Sequence, residues 1–175
     1  SIARAASSVT VSCPASATYA GLALEPCTAV VTGAGGVNSP VAVSYLSNIN
    51  VGAAVASATY AGDASHSGST GSGGFVITPA TATVTLSNLT QAFTGASLAP
   101  GVTTSPAKLA FVLTGAPQAA AGSYPVTATV NDPNYVGSAS GTFVITAPPP
   151  PPPPPVVDND NDNDHDKNKK DDKDK

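Results

Sequence analysis

Short runs of the chain alternate apolar with polar residues, with the period of two that is typical of half-buried β-strands. In PVTATV at 125–130, the side chains of Val126, Ala128 and Val130 share one face, and threonines occupy the other. AVASATY at 54–60 shows the same alternation. The other runs of this kind are SVTVSC at 8–13, CTAVVT at 27–32 and FVI at 75–77. Each run predicts a strand with an apolar face toward a core and a polar face toward water.

Turn-forming clusters separate these runs and decide the predicted fold class. TGAGGVNSP, NINVG, GAPQAAAG and NDPN are rich in Gly, Pro and Asn. Short strands with such turns every 8 to 12 residues, roughly, are typical of antiparallel sandwiches. No long segment shows the apolar stripe of an amphipathic helix. We therefore predict an all-β fold.

Similarity within the chain predicts that one unit occurs twice. GDASHSGSTGSGGFVIT at 62–78 aligns with NDPNYVGSASGTFVIT at 131–146. Two upstream matches are YAGLALEP at 19–26 with FTGASLAP at 93–100, and VTVS at 9–12 with VTLS at 84–87. The repeat predicts two tandem antiparallel β-sandwich domains, which we call unit 1 (residues 8–77) and unit 2 (residues 78–146).

The aligned stretch in unit 1 also contains the candidate chemistry of the chain. Asp63, Ser65 and His66 are the acid, nucleophile and base types of a hydrolase. In unit 2, however, Tyr135 stands at the position of His66. A phenol cannot replace an imidazole base, because its pKa is far higher. We therefore predict that the Asp organises a turn through backbone N–H groups, that the ring at position 66 packs over that turn, and that the chain is not an enzyme. On this view a change of His66 to Tyr is tolerated.

Almost all charges lie at the end of the chain. Residues 158–175 hold 8 Asp and 5 Lys. Nucleic-acid binding rests on clustered Lys and Arg, so the nearly neutral remainder argues against a nucleic-acid partner. No segment is long and apolar enough to insert in a membrane, and no signal peptide is visible. Because the sequence begins with Ser1, we expect it to be a processed or excised part of a longer protein.

The only cysteines, Cys13 and Cys27, bound a 15-residue loop with a turn at 19–21 near its middle. If this loop folds back on itself, the two thiols come within reach of each other, and we predict that Cys13 and Cys27 form a disulfide, which implies an oxidising compartment. The alternative is a pair of free cysteines buried as small hydrophobes. There is no Cys-x-x-Cys pattern and no His near either Cys, so nothing indicates a metal or redox site.

Three segments carry a family resemblance: YAGLALEPCTAVVTG at 19–33, NVGAAVASATYAGDASHSGSTGSGGFVI at 50–77 and AAGSYPVTATVNDPNYVGSASGTFVI at 120–145. They resemble bacterial Ig-like repeats of the mostly-beta, glycine-rich (MBG) type, which occur in tandem in large secreted and cell-surface bacterial proteins. The resemblance covers both units. It implies an Ig-like β-sandwich fold and a stalk or adhesin-like context, and it brings no catalytic residues with it. The cysteines occur in unit 1 alone.

After unit 2 the composition changes abruptly to proline and then to charged residues. Eight consecutive prolines at 148–155, within a linker at 147–157, predict a polyproline II spacer of roughly 25 Å at about 3.1 Å per residue. A ligand for an aromatic-grooved module is the alternative. The remaining tail, 158–175, lacks apolar residues to bury and is predicted to be disordered and solvated.

Alternating aspartates give the tail a second interpretation. The spacing resembles an EF-hand loop, with Asp160, Asp162, Asp164, Asp166 and Asp171 as calcium candidates. His165 stands where such a loop needs Gly, and Asp171 stands where it needs a bidentate Glu. We therefore predict no formed metal site and no cofactor, with weak Ca²⁺ association by the tail as the alternative.

Together these patterns predict a non-catalytic structural or spacer module of a secreted or cell-surface bacterial protein, which extends or displays neighbouring domains of a longer chain. The alternative is an adhesin-like or glycan-binding accessory module of a larger extracellular protein or hydrolase. Sugar faces usually stack on aromatic rings, and the chain has no Trp and only 5% aromatic residues. Composition therefore favours the spacer.

Overall fold

The computed structural model describes residues 2–154, and in this range the chain is almost entirely β. The only helix there is a 3-10 turn at Ala34–Gly36. The predicted all-β class is confirmed. The described range contains no helix of the length and hydropathy needed to cross a membrane. The charged tail and its five calcium candidates lie outside the described residues, and residues 147–154 are exposed without regular secondary structure.

The strands, in chain order, are β1 (Ser7–Ser12), β2 (Ser16–Thr18), β3 (Thr28–Gly33), β4 (Val37–Pro40), β5 (Val43–Leu46), β6 (Gly52–Tyr60), β7 (Ser69–Thr78), β8 (Ala80–Thr81), β9 (Thr83–Ser87), β10 (Thr90–Ala92), β11 (Gly101–Ser105), β12 (Phe111–Thr114), β13 (Gly122–Val130), β14 (Tyr135–Val136) and β15 (Ser138–Thr146).

These strands form five sheets, and no described sheet mixes strands from before and after Pro79. The N-terminal part has a three-stranded sheet, β1-β3-β4, and a four-stranded sheet, β2-β7-β6-β5. The C-terminal part has a four-stranded sheet, β10-β15-β13-β12, and two-stranded sheets β11-β9 and β14-β8. The two four-stranded sheets have the same strand order, since β2, β7, β6 and β5 correspond in position to β10, β15, β13 and β12. None of these five sheets is closed.

The core consists of the residues that the alternating patterns place on inner faces. In the N-terminal part, Ala54 and Ala56 of β6 pack with Phe75 and Ile77 of β7. In the C-terminal part, Val126 of β13 packs with two residues of β15, Phe143 and Ile145. Small alanines on β6 leave room for the large side chains of Phe75 and Ile77 on β7 to pack against them.

The segment between the cysteines is not a simple hairpin. Strand β2 leaves the β1 sheet and runs parallel to β7, with Ser16 opposite Val76. Strand β10 does the same beside β15, with Thr90 opposite Val144. In both places the chain therefore crosses from one sheet to the other, which ties the two layers together. A strand of three residues is too short for its alternation to be seen in the sequence.

Backbone hydrogen bonds recur at aligned positions of the two parts. The first residue after β2, and the first after β10, donates its N–H to the last residue of β7 or β15, at 2.9 Å in both parts. The loop that follows donates a second N–H to the segment before β6 or β13, at 2.9 and 2.8 Å. The pairs are Tyr19–Thr78 with Phe93–Thr146, and Leu24–Asn48 with Leu98–Gln118.

Candidate functional site

Asp63 organises the turn that joins β6 to β7. One carboxylate oxygen, Oδ1, accepts hydrogen bonds from the backbone N–H of Ser65 at 2.7 Å and of His66 at 2.6 Å. The other oxygen accepts a hydrogen bond from the Tyr60 hydroxyl at 2.8 Å. This bond from Tyr60 is the main cause that holds the pKa of the Asp63 carboxyl well below its ordinary value, and the Ser65 N–H adds to it. Asp63 is therefore an ionised turn residue, as the sequence predicted.

The His66 ring is buried, with 8% of the residue exposed, and both of its nitrogens have partners. Nδ1 lies 3.1 Å from Asp63 Oδ1, and Nε2 lies 2.8 Å from the backbone oxygen of Ala34. The hydrogen bond to Ala34, followed by the one to Asp63, raises the pKa of His66 above its ordinary value. The residue also forms a parallel β-bridge with Ala5, so the turn contacts the N-terminal segment and the 3-10 turn together.

The serines of this turn are not arranged as nucleophiles beside His66. A nucleophilic serine needs a hydrogen bond to its base, whereas both ring nitrogens of His66 face Asp63 and Ala34. The hydroxyl of Ser67 donates instead to the backbone oxygen of Ala5, at 3.2 Å. What the geometry supports is a turn held together by one carboxylate and one imidazole.

The aligned turn of unit 2 contacts unit 1. Asp132 again accepts a backbone N–H, from Asn134 at 2.8 Å. The Asn134 side chain accepts a hydrogen bond from the Val51 N–H at 2.9 Å, and the Tyr135 ring meets the Tyr19 ring with centroids 5.4 Å apart. Both aspartates thus accept a hydrogen bond from the N–H two residues further on, but the rings differ in their contacts. His66 packs within its own unit, whereas Tyr135 packs on the neighbouring one.

Cys13 and Cys27 are joined in a disulfide, with their Cα atoms 4.3 Å apart. The free-thiol alternative is therefore wrong for this structure. Strands β1 and β3 explain the pairing, because Ser12 lies opposite Thr28 and the next register position places the two cysteines opposite each other. The Tyr45 hydroxyl accepts from the Cys27 N–H at 2.9 Å and donates to the Cys27 carbonyl at 3.0 Å, which fixes the backbone at the bridge.

The concave surfaces of the described chain are shallow. One depression of about 370 Å³ is lined by residues 47–53, beside the contact with Asn134. Another of about 320 Å³ lies between residues 25–29 and 40–45. Neither contains the Asp63–His66 pair. In residues 2–154, no three His, Cys, Asp or Glu side chains are grouped closely enough to hold a metal ion.

Comparison with protein families identifies the C-terminal part of the structure. Residues 82–148 match the family model of the MBG domain. The matched range runs from β9 to the end of β15, so this part of the chain is similar to MBG domains, in agreement with the resemblance seen in the sequence. A search of curated proteins returned no match to the chain.

Proposed function

We propose that units 1 and 2 are tandem Ig-like sandwich domains, and that they serve as a non-catalytic spacer of a secreted or cell-surface bacterial protein. The observation that carries this proposal is the contact between them. The turn of unit 2 that holds Asn134 and Tyr135 lies against the end of unit 1, at Val51 and Tyr19. A contact made by the tip of one unit on the end of the next suits an extended arrangement.

The connection between the units supports the same proposal. Strand β7 ends at Thr78 and β8 begins at Ala80, which leaves Pro79 as the whole linker. Proline fixes one backbone angle, and so short a connection gives the units little room to fold back on each other. The polyproline run after unit 2 would extend the same line, with neighbouring domains of a longer chain as the partners.

An extracellular location is part of the proposal. Disulfides persist in oxidising compartments and are rare in the cytosol, so the bridge between Cys13 and Cys27 favours secretion or surface display. The family context of unit 2 agrees with this location.

Glycan binding is the weaker alternative. Two phenylalanines are exposed, Phe93 at 40% and Phe111 at 42%. Phe93 follows β10 and Phe111 begins β12, and these strands are the opposite edges of one four-stranded sheet. Neighbouring strands are about 4.8 Å apart, so three strand spacings alone separate the two rings by at least roughly 14 Å. Such a separation does not suit a shared stacking platform for one sugar ring.

Small-angle scattering tests the spacer proposal. A chain ending at Ala147 removes the linker and tail from the measurement. A compact body of this length has a radius of gyration of about 15 Å, whereas two units placed end to end would give about 20 Å. We expect the larger value. A near-spherical particle with the smaller value would exclude the extended spacer.

A further inference from the structure

The surroundings of His66 dictate its protonation state. A backbone carbonyl oxygen can only accept a hydrogen bond, so Nε2, at 2.8 Å from Ala34 O, must carry a proton. An ionised carboxylate is also an acceptor only, so Nδ1, at 3.1 Å from Asp63 Oδ1, must carry one as well. A histidine that donates from both nitrogens is an imidazolium. Its charge is balanced by Asp63, which forms the only ion pair within residues 2–154.

We propose that His66 is a proton-operated latch, which as an imidazolium ties the Ala34–Gly36 turn to the 62–67 turn and releases it when one proton is lost to solvent. The neutral ring keeps a single N–H. The Asp63 carboxylate favours that proton on Nδ1, so the Nε2 lone pair then faces the Ala34 oxygen. Two acceptors at this distance repel each other, and the contact with Ala34 opens.

Among the titratable groups near the ring, the proton of His66 controls the contact with Ala34. The 62–67 turn contributes Asp63, and β6 contributes Tyr60, whose hydroxyl donates to Asp63. The 3-10 turn has no titratable side chain, since it consists of Ala34, Gly35 and Gly36. The N-terminal segment contributes Arg4, the residue before Ala5, and Ala5 forms the bridge to His66.

Release of Ala34 would loosen the N-terminal end of unit 1. The ring links the 62–67 turn to the Ala34–Gly36 turn. The backbone of the same 62–67 turn is joined separately to residues 5–7, through the bridge at Ala5 and the Ser7 hydroxyl. Without the hydrogen bond to Ala34, the 3-10 turn between β3 and β4 loses its side-chain attachment to the 62–67 turn. We therefore expect this end of unit 1 to loosen as the pH rises. This expectation does not depend on whether the unit is a spacer.

Nuclear magnetic resonance on the full chain tests the latch. Histidine ring nitrogens labelled with ¹⁵N are followed against pH, and a His165→Gln variant assigns the signals. We expect both His66 nitrogens to be protonated at pH 6, with a midpoint above the ordinary value of about 6.5. The backbone amides of Ala34–Gly36 should shift with that same midpoint. A neutral His66 at pH 6, or a 3-10 turn unaffected by the titration, would overturn the proposal.

A matched pair of variants separates the charge of Asp63 from its role in the turn. Asp63→Asn keeps the oxygen that accepts the backbone N–H groups but removes the charge, so the His66 midpoint should fall. Asp132→Asn makes the same change in unit 2 and should leave the midpoint unchanged. Equal effects of the two variants would contradict the latch. If Asp63→Asn does not fold, the ring-nitrogen titration of the unaltered chain still decides.

Discussion

The ring of Tyr135 contacts the ring of Tyr19 edge to face, with an interplanar angle of 83°. The two residues belong to different units, so this pair spans the junction between them. The Asn134 side chain adds hydrogen bonds to the same end of unit 1, from the Val51 N–H and to the Asn50 side chain. If the units are separate domains, as proposed, we expect directional contacts of both kinds to favour one angle between them over free rotation about Pro79.

A double-mutant cycle measures how strongly the aromatic pair couples the units. Tyr19→Ala, Tyr135→Ala and the double variant are compared by urea unfolding, and we expect a coupling free energy of about 0.5–1.5 kcal/mol. Phe93 aligns with Tyr19 but lies at the far end of unit 2, so the cycle of Phe93→Ala with Tyr135→Ala is the control. That control should give a coupling near zero. Equal couplings in the two cycles would rule out a junction held by Tyr19.

Reduction of the disulfide should destabilise unit 1 far more than unit 2. Closing a loop of this length is worth about 3 kcal/mol in the chain-entropy account. The double variant Cys13→Ala/Cys27→Ala should lose a similar free energy of unfolding, measured by urea titration with probes in each unit. Unit 2, which has no cysteine, is the internal control. An unchanged urea midpoint for unit 1 after full reduction would contradict this expectation.

Unit 1 should be most stable over a defined pH range. The pKa of His66 is raised, by Ala34 and then Asp63, so its contribution is complete below the ordinary value of about 6.5 and is lost as pH rises through the folded value. The pKa of Asp63 is lowered, mainly by Tyr60, so its contribution is complete above the ordinary value of about 3.9 and is lost in acid. Between these limits both contribute in full.

Urea midpoints against pH check this range, with His66→Gln as the comparison. The variant should lose the decline on the alkaline side while it keeps the decline in acid. Parallel curves for the two proteins would show that His66 does not produce the alkaline decline.

Gly62 should tolerate substitution less well than another glycine with a similar backbone. Both Gly62 and Gly35 have positive φ, 87° and 72°, which costs an L-residue about 1–2 kcal/mol. A Cβ at Gly62 would also lie 2.8 Å from the Gly68 nitrogen and from the His66 oxygen, whereas one at Gly35 meets nothing within 4 Å. We therefore expect Gly62→Ala to reduce the free energy of unfolding more than Gly35→Ala. Equal losses would show that the Gly62 turn can move.

Alternation in the sequence predicted the long strands because the cause of each is local. Ala56 and Ala58, like Val126 and Ala128, are buried every second residue, and each run carries that signal within itself. The disulfide was predicted from the spacing of Cys13 and Cys27, with free cysteines as the alternative, but its geometry depends on the register of β1 against β3. The MBG resemblance of unit 2 is confirmed by the family match.

The junction and the latch could not be predicted, because their partners are remote. Asn134 bonds a residue 83 positions away, and His66 bonds one 32 positions away. Alignment with Tyr135 predicted that His66→Tyr is tolerated, but the structure gives the two rings different partners. A phenol lacks the two ring N–H groups that reach Asp63 and Ala34, so we now expect His66→Tyr to destabilise unit 1.

The parallel pairing of the crossing strands with the last strands has a mechanical consequence. Strand β2 lies parallel to β7, and β10 lies parallel to β15, with β7 and β15 carrying the chain out of each unit. Tension between the two ends pulls along these strands, so the hydrogen bonds that join them are loaded in shear and must break together. Hydrogen bonds pulled apart from one end of a strand pair would break one after another, at much lower force. We therefore expect the parallel pairs β2–β7 and β10–β15 to resist stretching of each unit.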